Sequence, residues 1–401
     1  MIKRLLPLPL KWFLYCLSFC FIKNKQLWVF GSRNGQFVDN PKYFFLHTTQ
    51  HNPDIKSVWI SSDLSTVKLL KNQGFTAYSR WSLKGLLTSL RASVFIYAFD
   101  SNDINFFCSG GAKLVNLYHG IPLKKIEFNT TVGTSKKVYH PITLVEKLRS
   151  KILYAPKWQK IDLFQIPSLS LKSIHDGAFN HLIESYFIGA NPRLAPLQNN
   201  EVQHTIIEND RITGQSFVKG YDSVWIYMPT WRVGAPDILS EAFPDLDELN
   251  KVLKQHNILL IFKMHLYSDD VIKNYSHIKL FPSNLDVYPF LNIVDVLITD
   301  YSSIAFDFDI NNKKTLFYAY DLDTYLTTSS DGFYFDYQTF CNQKIILNFK
   351  ELLVVITEND MENRTLGKQI SQELWSNKKT ISFTDTNNEL VNSIKDLWKQ
   401  K

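Results

Sequence analysis

The sequence predicts an α/β protein built from two Rossmann-like domains facing a cleft, and three observations lead there. A chain of 401 residues is long for one hydrophobic core and comfortable for two. Its composition, 45% hydrophobic and 20% charged, is globular and excludes a disordered chain. From residue 26 onward, short β-branched or aromatic runs alternate with segments of helical period, the rhythm of a parallel sheet with crossover helices.

Gln26-Leu27-Trp28-Val29-Phe30 reads as the first strand and stops at Gly31-Ser32. A helical stretch begins at Asn40, a strand covers Ser57 to Ile60, and helices run from Leu64 to Asn72 and from Leu83 to Arg91. Strands from Val94 to Tyr97 and from Leu114 to Tyr118 complete the first unit. Residues 134–215 are less regular, with Pro167, Pro192 and Pro196, and the domain junction is expected near 200–220. The second half repeats the pattern. A strand from Val224 to Met228 ends at Pro229, a helix spans Leu246 to Gln255, and Ile258 to Phe262 is a continuous apolar run of the kind buried on both faces. Strands from Lys279 to Phe281, Val296 to Thr299 and Thr315 to Tyr318 follow, with a helix opening at Ser302 and a closing helix around Asn388 to Lys399.

The net charge of +6 is concentrated in two places. Residues 1–25 carry Lys3, Arg4, Lys11, Lys23 and Lys25 with no acidic residue. Residues 134–160 carry Lys136, Lys137, Lys147, Arg149, Lys151, Lys157 and Lys160 against Glu146 alone, so the remainder is slightly acidic. Aromatic residues interleave both patches, Trp12 and Phe13 in one, Tyr139, Tyr154 and Trp158 in the other. That combination suits an anionic membrane surface, where each Lys or Arg contributes about 1 kcal/mol; an ordinary solvated basic face is the plainer reading of the second patch. No nucleic-acid motif accompanies either, so no nucleic-acid partner is expected. Leu5 to Ile22 is a mostly apolar run of 18 residues, which by length could just span a bilayer. Pro7, Pro9 and Lys11 disfavour a straight spanning helix, and Phe19 before Cys20 spoils a signal or lipoprotein cleavage site. The favoured reading is an N-terminal membrane-associating segment, residues 1–24, lying in the interface. A spanning helix, a signal and a buried N-terminal element are the alternatives. The four cysteines, Cys16, Cys20, Cys108 and Cys341, have no metal-like spacing and fit a reduced, cytosolic chain.

Every candidate polar cluster lies just past the carboxyl end of a predicted strand, where open α/β sheets bind ligands. His119 follows one strand and is suited to general-base work, while Gly120 allows close backbone approach. Pro229-Thr230-Trp231-Arg232 and Lys263-Met264-His265 follow two others; an arginine can grip phosphate oxygens in bidentate fashion, and lysine or protonated histidine adds a localised charge. Asp300-Tyr301-Ser302-Ser303 follows a fourth strand and opens a helix, where N–H groups and hydroxyls suit a phosphate. Asp307, five residues past Ser302, is placed to reach ribose hydroxyls. Singly, each also reads as a cap, a packing residue or a surface residue; together they point to a phosphorylated ligand.

In this order the segments resemble the CDP-glycerol glycerophosphotransferase family of wall teichoic acid and capsule synthesis. The resemblance rests on Tyr118-His119-Gly120-Ile121-Pro122-Leu123-Lys124-Lys125-Ile126, Pro229-Thr230-Trp231-Arg232, Lys263-Met264-His265 and Leu297-Ile298-Thr299-Asp300-Tyr301-Ser302-Ser303-Ile304-Ala305-Phe306-Asp307. Gly31-Ser32-Arg33, Asp39-Asn40-Pro41-Lys42 and Gly332-Phe333-Tyr334-Phe335-Asp336-Tyr337 add to it, over roughly residues 26–340.

The resemblance implies a GT-B fold. It puts an acceptor-side domain over residues 25–215, with a basic, aromatic, membrane-facing insertion at about 134–180, and a CDP-donor domain over 216–401, whose closing helix crosses back onto the first. It implies a peripheral protein on the cytoplasmic face of the bacterial cell membrane, in contact with an anionic membrane surface. The implied reaction is transfer of glycerol phosphate from CDP-glycerol to a hydroxyl of a polyprenyl-diphosphate-linked glycan or polymer, releasing CMP. By the same resemblance His119 takes the acceptor proton, and Arg232, His265, Ser302 and Ser303 hold the donor pyrophosphate and offset charge on departing CMP, with Lys263 and Asp300 beside them. Asp307 is expected as a ribose contact from its helix spacing and not from the resemblance, and Asn40, Lys42, Gly120 and Lys124 are expected on the acceptor side. No metal site or cofactor is required by this reading; Mg²⁺ and homo-oligomerisation stay open. Ile121, Val233 and Leu266 stand where the family more often carries Thr, Asp and Pro, so CDP-ribitol or another CDP-polyol is an alternative donor. A GT-B glycosyltransferase using a nucleotide sugar and a non-catalytic assembly factor are the other readings. The lack of a large extra N-terminal domain tilts towards a priming or short-chain transferase.

Overall fold

The computed structural model describes residues 7–197, 204–230, 232, 238–264, 272, 274–282, 285–328, 331–375 and 381–399. Two compact units emerge. The first comprises residues 1–119, 141–195 and 381–401, and the second residues 120–140 and 196–380.

In the first unit, seven parallel strands form one sheet in the order β3-β2-β1-β4-β5-β6-β7. They are β1 Asn24–Phe30, β2 Lys56–Ser61, β3 Ala77–Ser79, β4 Ala92–Tyr97, β5 Lys113–Asn116, β6 Leu163–Ile166 and β7 Tyr186–Ile188. In the second unit, six parallel strands take the order β10-β9-β8-β11-β12-β13. These are β8 Ser223–Tyr227, β9 Ile258–Phe262, β10 Ile278–Leu280, β11 Val296–Thr299, β12 Lys314–Tyr318 and β13 Ile345–Ile346. Each sheet grows outward from its first strand in both directions. The order therefore reverses between β1 and β4 and between β8 and β11, and a crevice opens outside the carboxyl ends at such switch points.

Why these runs become central strands is visible in their burial. All six residues of β4 and all five of β9 are buried, as expected of parallel strands covered on both faces. Aromatic rings fill the space between sheet and helices: Phe30, Phe45 and Trp59 pack edge-on in the first unit, and Tyr227, Phe243 and Phe262 in the second. Side chains start the helices where the sequence supplies them. Asp63 caps Leu64–Asn72, Ser82 caps Leu83–Arg91 and Asp245 caps Leu246–Gln255.

The observed units differ from the expected boundaries at two places. Residues 120–140 belong to the second unit, because Lys124 bridges Phe333 and Asn129 donates to the Tyr334 hydroxyl at 2.8 Å. Residues 196–215 also go with the second unit. The closing helix, Phe383–Asp396, joins the first, where Asn388 bonds His47 at 3.0 Å and Lys395 pairs with Asp54 at 2.8 Å.

Among the described residues, no helix is long and apolar enough to cross a membrane. The N-terminal segment forms the helix Leu8–Ser18, which docks on the first unit through Trp12 and Tyr15; the Tyr15 ring stacks on Phe106 at 4.6 Å. Phe13, off that docked face, is 63% exposed, and Phe19, just past the helix and edge-on against Tyr15, is 58% exposed. The helix Leu144–Leu153, with a Thr143/Glu146 capping box, buries only Ser150 and leaves Leu144 83%, Val145 75% and Leu148 61% exposed. Both helices flank one open groove of about 780 Å³ that Trp12, Tyr15, Phe19, Lys151 and Trp158 help to line.

Candidate active site

His119 stands at the end of the first unit's β5, on a backbone shaped to present it. Asn116 ends the strand by accepting a hydrogen bond from the Tyr118 N–H at 2.8 Å, and Tyr118 then turns to a φ of 52°. Gly120 follows at a φ of 132°, which an L side chain rarely adopts. Asn40 locks this corner: its amide donates to the Leu117 and Tyr118 carbonyls at 3.0 and 2.9 Å, and its oxygen accepts the Arg193 N–H at 3.1 Å. The Arg193 guanidinium binds both Asp39, at 2.7 Å, and the His119 carbonyl, at 2.6 Å. Sequence reasoning missed Arg193, and nothing local could have found it, since it lies 74 residues from His119.

The half-buried His119 ring stacks on Phe99 at 3.9 Å with planes 11° apart, and its Nδ1 has no hydrogen-bond partner. Burial, then the charges of Arg193, Lys157 and Arg33, push its pKa down to about 3, against a hydrogen bond with the Ala98 backbone that raises it. The imidazole is therefore neutral near pH 7. Lys42, expected nearby, is buried instead, its ammonium over the rings of Phe37 and Tyr43 at 5.7 and 5.1 Å. Asn40 is likewise fully buried, so both act in the scaffold of this corner.

In the second unit, Arg232 and Asp300 meet across the β8/β11 switch point. The Arg232 guanidinium donates twice to Asp321, at 2.6 and 2.8 Å, once to the Thr230 carbonyl at 2.8 Å, and pairs with Asp300 at 2.9 Å. Burial opposes its charge, but the Asp321 bonds and the Asp300 and Asp321 carboxylates outweigh that and hold its pKa above the ordinary value. Asp300 also accepts from the Thr230 and Tyr301 N–H groups at 2.8 and 2.5 Å, which ties the two strand ends together. So Arg232 and Asp300, expected as direct phosphate contacts, are each other's partners, with Asp321 as the third member. Asp321 lies just past β12, a signal of the kind used for the other clusters and overlooked there.

Lys124, expected on the acceptor side, belongs to the second unit. Its ammonium lies over the Tyr325 ring at 5.8 Å; burial lowers its pKa, Asp300 raises it and Arg232 lowers it further. Lys263 follows β9 and stands over Phe281 at 5.3 Å, its pKa also lowered by burial against the pull of Asp286. Ser302 and Ser303 are half-buried beside this cluster, but the helix they precede, Ile304–Phe308, is a short one, and the Ser303 side chain makes no capping bond. Asp307 is fully buried and accepts from the Tyr288 hydroxyl at 2.8 Å, so that oxygen faces the protein interior where a ribose contact was expected. His265, Trp231, Val233 and Leu266 lie outside the described residues. The second unit thus supplies one half-buried ammonium group, Lys124, and two hydroxyls near a guanidinium–carboxylate knot, with a second half-buried ammonium, Lys263, past the end of β9, chemistry suited to a multiply charged anion.

Residues 13–392 match the family described as CDP-Glycerol:Poly(glycerophosphate) glycerophosphotransferase. The Teichoic acid glycerol-phosphate transferase of Staphylococcus aureus (strain NCTC 8325 / PS 47) is 25% identical over 351 residues, covering 84% of this chain and 85% of the relative. The Teichoic acid poly(glycerol phosphate) polymerase of Bacillus spizizenii (strain ATCC 23059 / NRRL B-14472 / W23) is 26% identical over 331 residues, covering 79% of each. Of the corresponding polymerase of Staphylococcus epidermidis (strain ATCC 35984 / DSM 28319 / BCRC 17069 / CCUG 31568 / BM 3577 / RP62A), 26% identical over 77% of this chain, the match spans 42%. A solved structure of the wall teichoic acid polymerase TagF shares the fold with a TM-score of 0.72 at 21% identity, over 97% of this chain and 94% of that one. Two parallel sheets of the GT-B kind, with the family match running over almost the whole chain, place the protein: it belongs to the CDP-glycerol:poly(glycerophosphate) glycerophosphotransferase family, enzymes of glycerophosphate transfer in teichoic acid synthesis.

Proposed function

We propose that the enzyme transfers glycerol phosphate from CDP-glycerol to a hydroxyl of a polyprenyl-diphosphate-linked acceptor, releasing CMP. The observation that carries the base in this reading is the placement of His119 just past β5, on a turn held by Asn40 and Arg193 and with its ring stacked on Phe99. The acceptor oxygen attacks the phosphorus that bears glycerol and its proton passes to His119. The bond from that phosphorus to the bridging oxygen breaks, and CMP leaves with the electron pair. Lys124, Lys263, Ser302 and Ser303 offset the charge on the donor phosphates, while Arg232, fixed by Asp300 and Asp321, positions the strand ends that carry them. The reading places the enzyme on the cytoplasmic membrane face, supported by the exposed apolar residues of Leu8–Ser18 and Leu144–Leu153 and by the basic residues beside them.

The test combines purified protein, membranes carrying the lipid-linked acceptor, and a panel of CDP-glycerol, CDP-ribitol and UDP-sugars. Acceptor-dependent CMP release with CDP-glycerol alone is the expected outcome, and none with either CDP-polyol overturns the reading. His119→Ala is expected to lower kcat by at least about 100-fold, the range of a lost general base, with donor binding retained. Equal loss of donor binding would refute the acceptor-side role.

A further inference from the structure

The turn after β4 carries two groups that hold the His119 ring. Phe99 stacks on it at 3.9 Å with planes 11° apart, and the Ala98 backbone hydrogen-bonds it. Both residues are held in turn by one atom. Asp103 Oδ2 accepts from the Ala98 N–H at 3.1 Å and from the Phe99 N–H at 2.9 Å. Reaching back over five and four residues, it closes the chain from Ala98 to Asp103 into a tight loop, and the residue that closes it is only 6% exposed.

We propose that Asp103 is a positioning residue for His119: it fixes the backbone of Ala98 and Phe99 and, through them, the place and plane of the imidazole. The proposal rests on the reading above only for the part that His119 plays in the reaction. Two observations support the chain of contacts. First, the backbone from which the carboxylate hangs is itself braced. Arg80 donates to the Asn102 carbonyl and, at 3.1 Å, to the Asp103 carbonyl, and the Ser101 hydroxyl donates to Gln159. The end of β1 packs so closely against it that a Cβ on Gly31 would stand 2.5 Å from the Asp103 carbonyl oxygen. Second, the loop and the turn that bears His119 are tied at one further residue, Asn116, whose amide donates to the Phe99 carbonyl at 3.4 Å while its oxygen accepts the Tyr118 N–H at 2.8 Å. Asp103 thus holds Phe99 from its N–H side and Asn116 from its carbonyl side.

A group that takes a proton has to stand within hydrogen-bond reach of it, and a misplacement of about 1 Å costs about 100-fold in rate. A stacked ring sets the plane of an imidazole but cannot hold itself in place, so the seat of Phe99 decides where the base points. The competing account is electrostatic, since the Asp103 carboxylate also acts on Arg80 and feels Asp100 and Lys157. The two accounts differ in what asparagine does at this position. An amide oxygen still accepts N–H bonds but carries no charge.

The test compares Asp103→Ala, Asp103→Asn and Phe99→Leu in the full chain, the last keeping bulk while removing the flat ring. The ring protons of His119, assigned with His119→Gln, lie over the face of Phe99 and are shielded by its ring current. They should move downfield in Asp103→Ala and in Phe99→Leu and stay near their original place in Asp103→Asn. In turnover, Asp103→Ala should lower kcat at least about tenfold, with KM for CDP-glycerol unchanged and most of the loss restored by Asp103→Asn. Where Asp103→Ala does not fold, Asp103→Glu takes its place: it keeps the charge, moves the oxygens by one methylene, and should shift the ring protons and lower kcat in the same direction. His119 signals that stay put in the alanine or glutamate variant overturn the proposal. So does an asparagine variant as impaired as the alanine one, which would make Asp103 a charge partner of Arg80. Absence of transfer by the unaltered enzyme bears on the reaction alone, because the ring signals need neither donor nor acceptor.

Discussion

A guanidinium held by two carboxylates is not free to grip a phosphate as well, so replacing Arg232 tests which job it does. Arg232→Lys keeps the charge but not the planar fork, and a single ammonium cannot reproduce two parallel bonds to Asp321 together with the Asp300 contact. With the charge kept but the paired bonds to Asp321 lost, the expected loss of stability is about 2 kcal/mol, that of a hydrogen bond to a charged group, with transfer falling at least tenfold. Lys124→Ala should instead leave stability nearly unchanged and raise KM for the donor. Urea unfolding and initial rates on both variants decide: a fully stable Arg232→Lys that fails only in donor binding makes Arg232 a phosphate ligand after all. The residue types of the site were legible because strand ends in parallel sheets collect polar ligands. Their pairings were not. Asp321 lies 89 residues from Arg232, and Lys124, only five residues after His119 of the first unit, is carried into the second unit by its bridge to Phe333.

The helix Leu144–Leu153 is an element that leaves Leu144, Val145 and Leu148 largely exposed. Leu144 and Leu148 lie one turn apart with Lys147, Arg149 and Lys151 between and beside them. An isolated exposed leucine needs no explanation, but a turn-spaced set on a basic helix fits the headgroup region of an anionic bilayer. The full chain is expected to sediment with vesicles containing phosphatidylglycerol and to leave them as salt rises. The double change Leu144→Glu with Leu148→Glu should cut partitioning more than tenfold, since inserting each leucine is worth about 1.5–3 kcal/mol. Equal partitioning of the variant removes this helix from the membrane contact. The elements themselves show why some were readable and others not. Long central strands such as β9 announce themselves by uninterrupted apolar runs, whereas β3, β7 and β13, of 3, 3 and 2 residues, are too short to show any period and exist only because a neighbouring strand offers them a ladder. The N-terminal run was legible as amphiphilic, but that Trp12 and Tyr15 would dock on Phe106 depends on a partner about 90 residues away and could not be read locally.

Across the first unit as a whole, burial of histidines makes stability depend on acid. His47 and His175 are both held down to about 4 by burial first, with hydrogen bonds to Asn388 and to the Leu171 backbone working the other way, and His119 is held down to about 3. All three are neutral in the folded unit below the pH at which an unfolded chain protonates them, near 6.5. Stability is therefore fully present above pH 6.5 and falls as pH drops towards 4, because the unfolded state binds the extra protons. Asp103 acts oppositely: burial raises it to about 7, so from pH 7 downward the folded unit holds a proton that the unfolded chain releases until near 3.8. One group against three leaves a net uptake of about two protons on unfolding, a slope of about 3 kcal/mol per pH unit at most, between roughly pH 6 and 4.5. Equilibration in urea at each pH, followed by a brief deuterium pulse at a common pH, reads the unit through its own peptides. The unfolding midpoint of peptides from β1, β4 and β5 should fall steadily over that window, and His175→Gln should flatten the fall by about one proton. A midpoint that stays level from pH 6.5 to 4.5 would mean that these imidazoles are hydrated enough to protonate in place, and the neutral His119 on which the proposed proton transfer depends would have to be reconsidered with them.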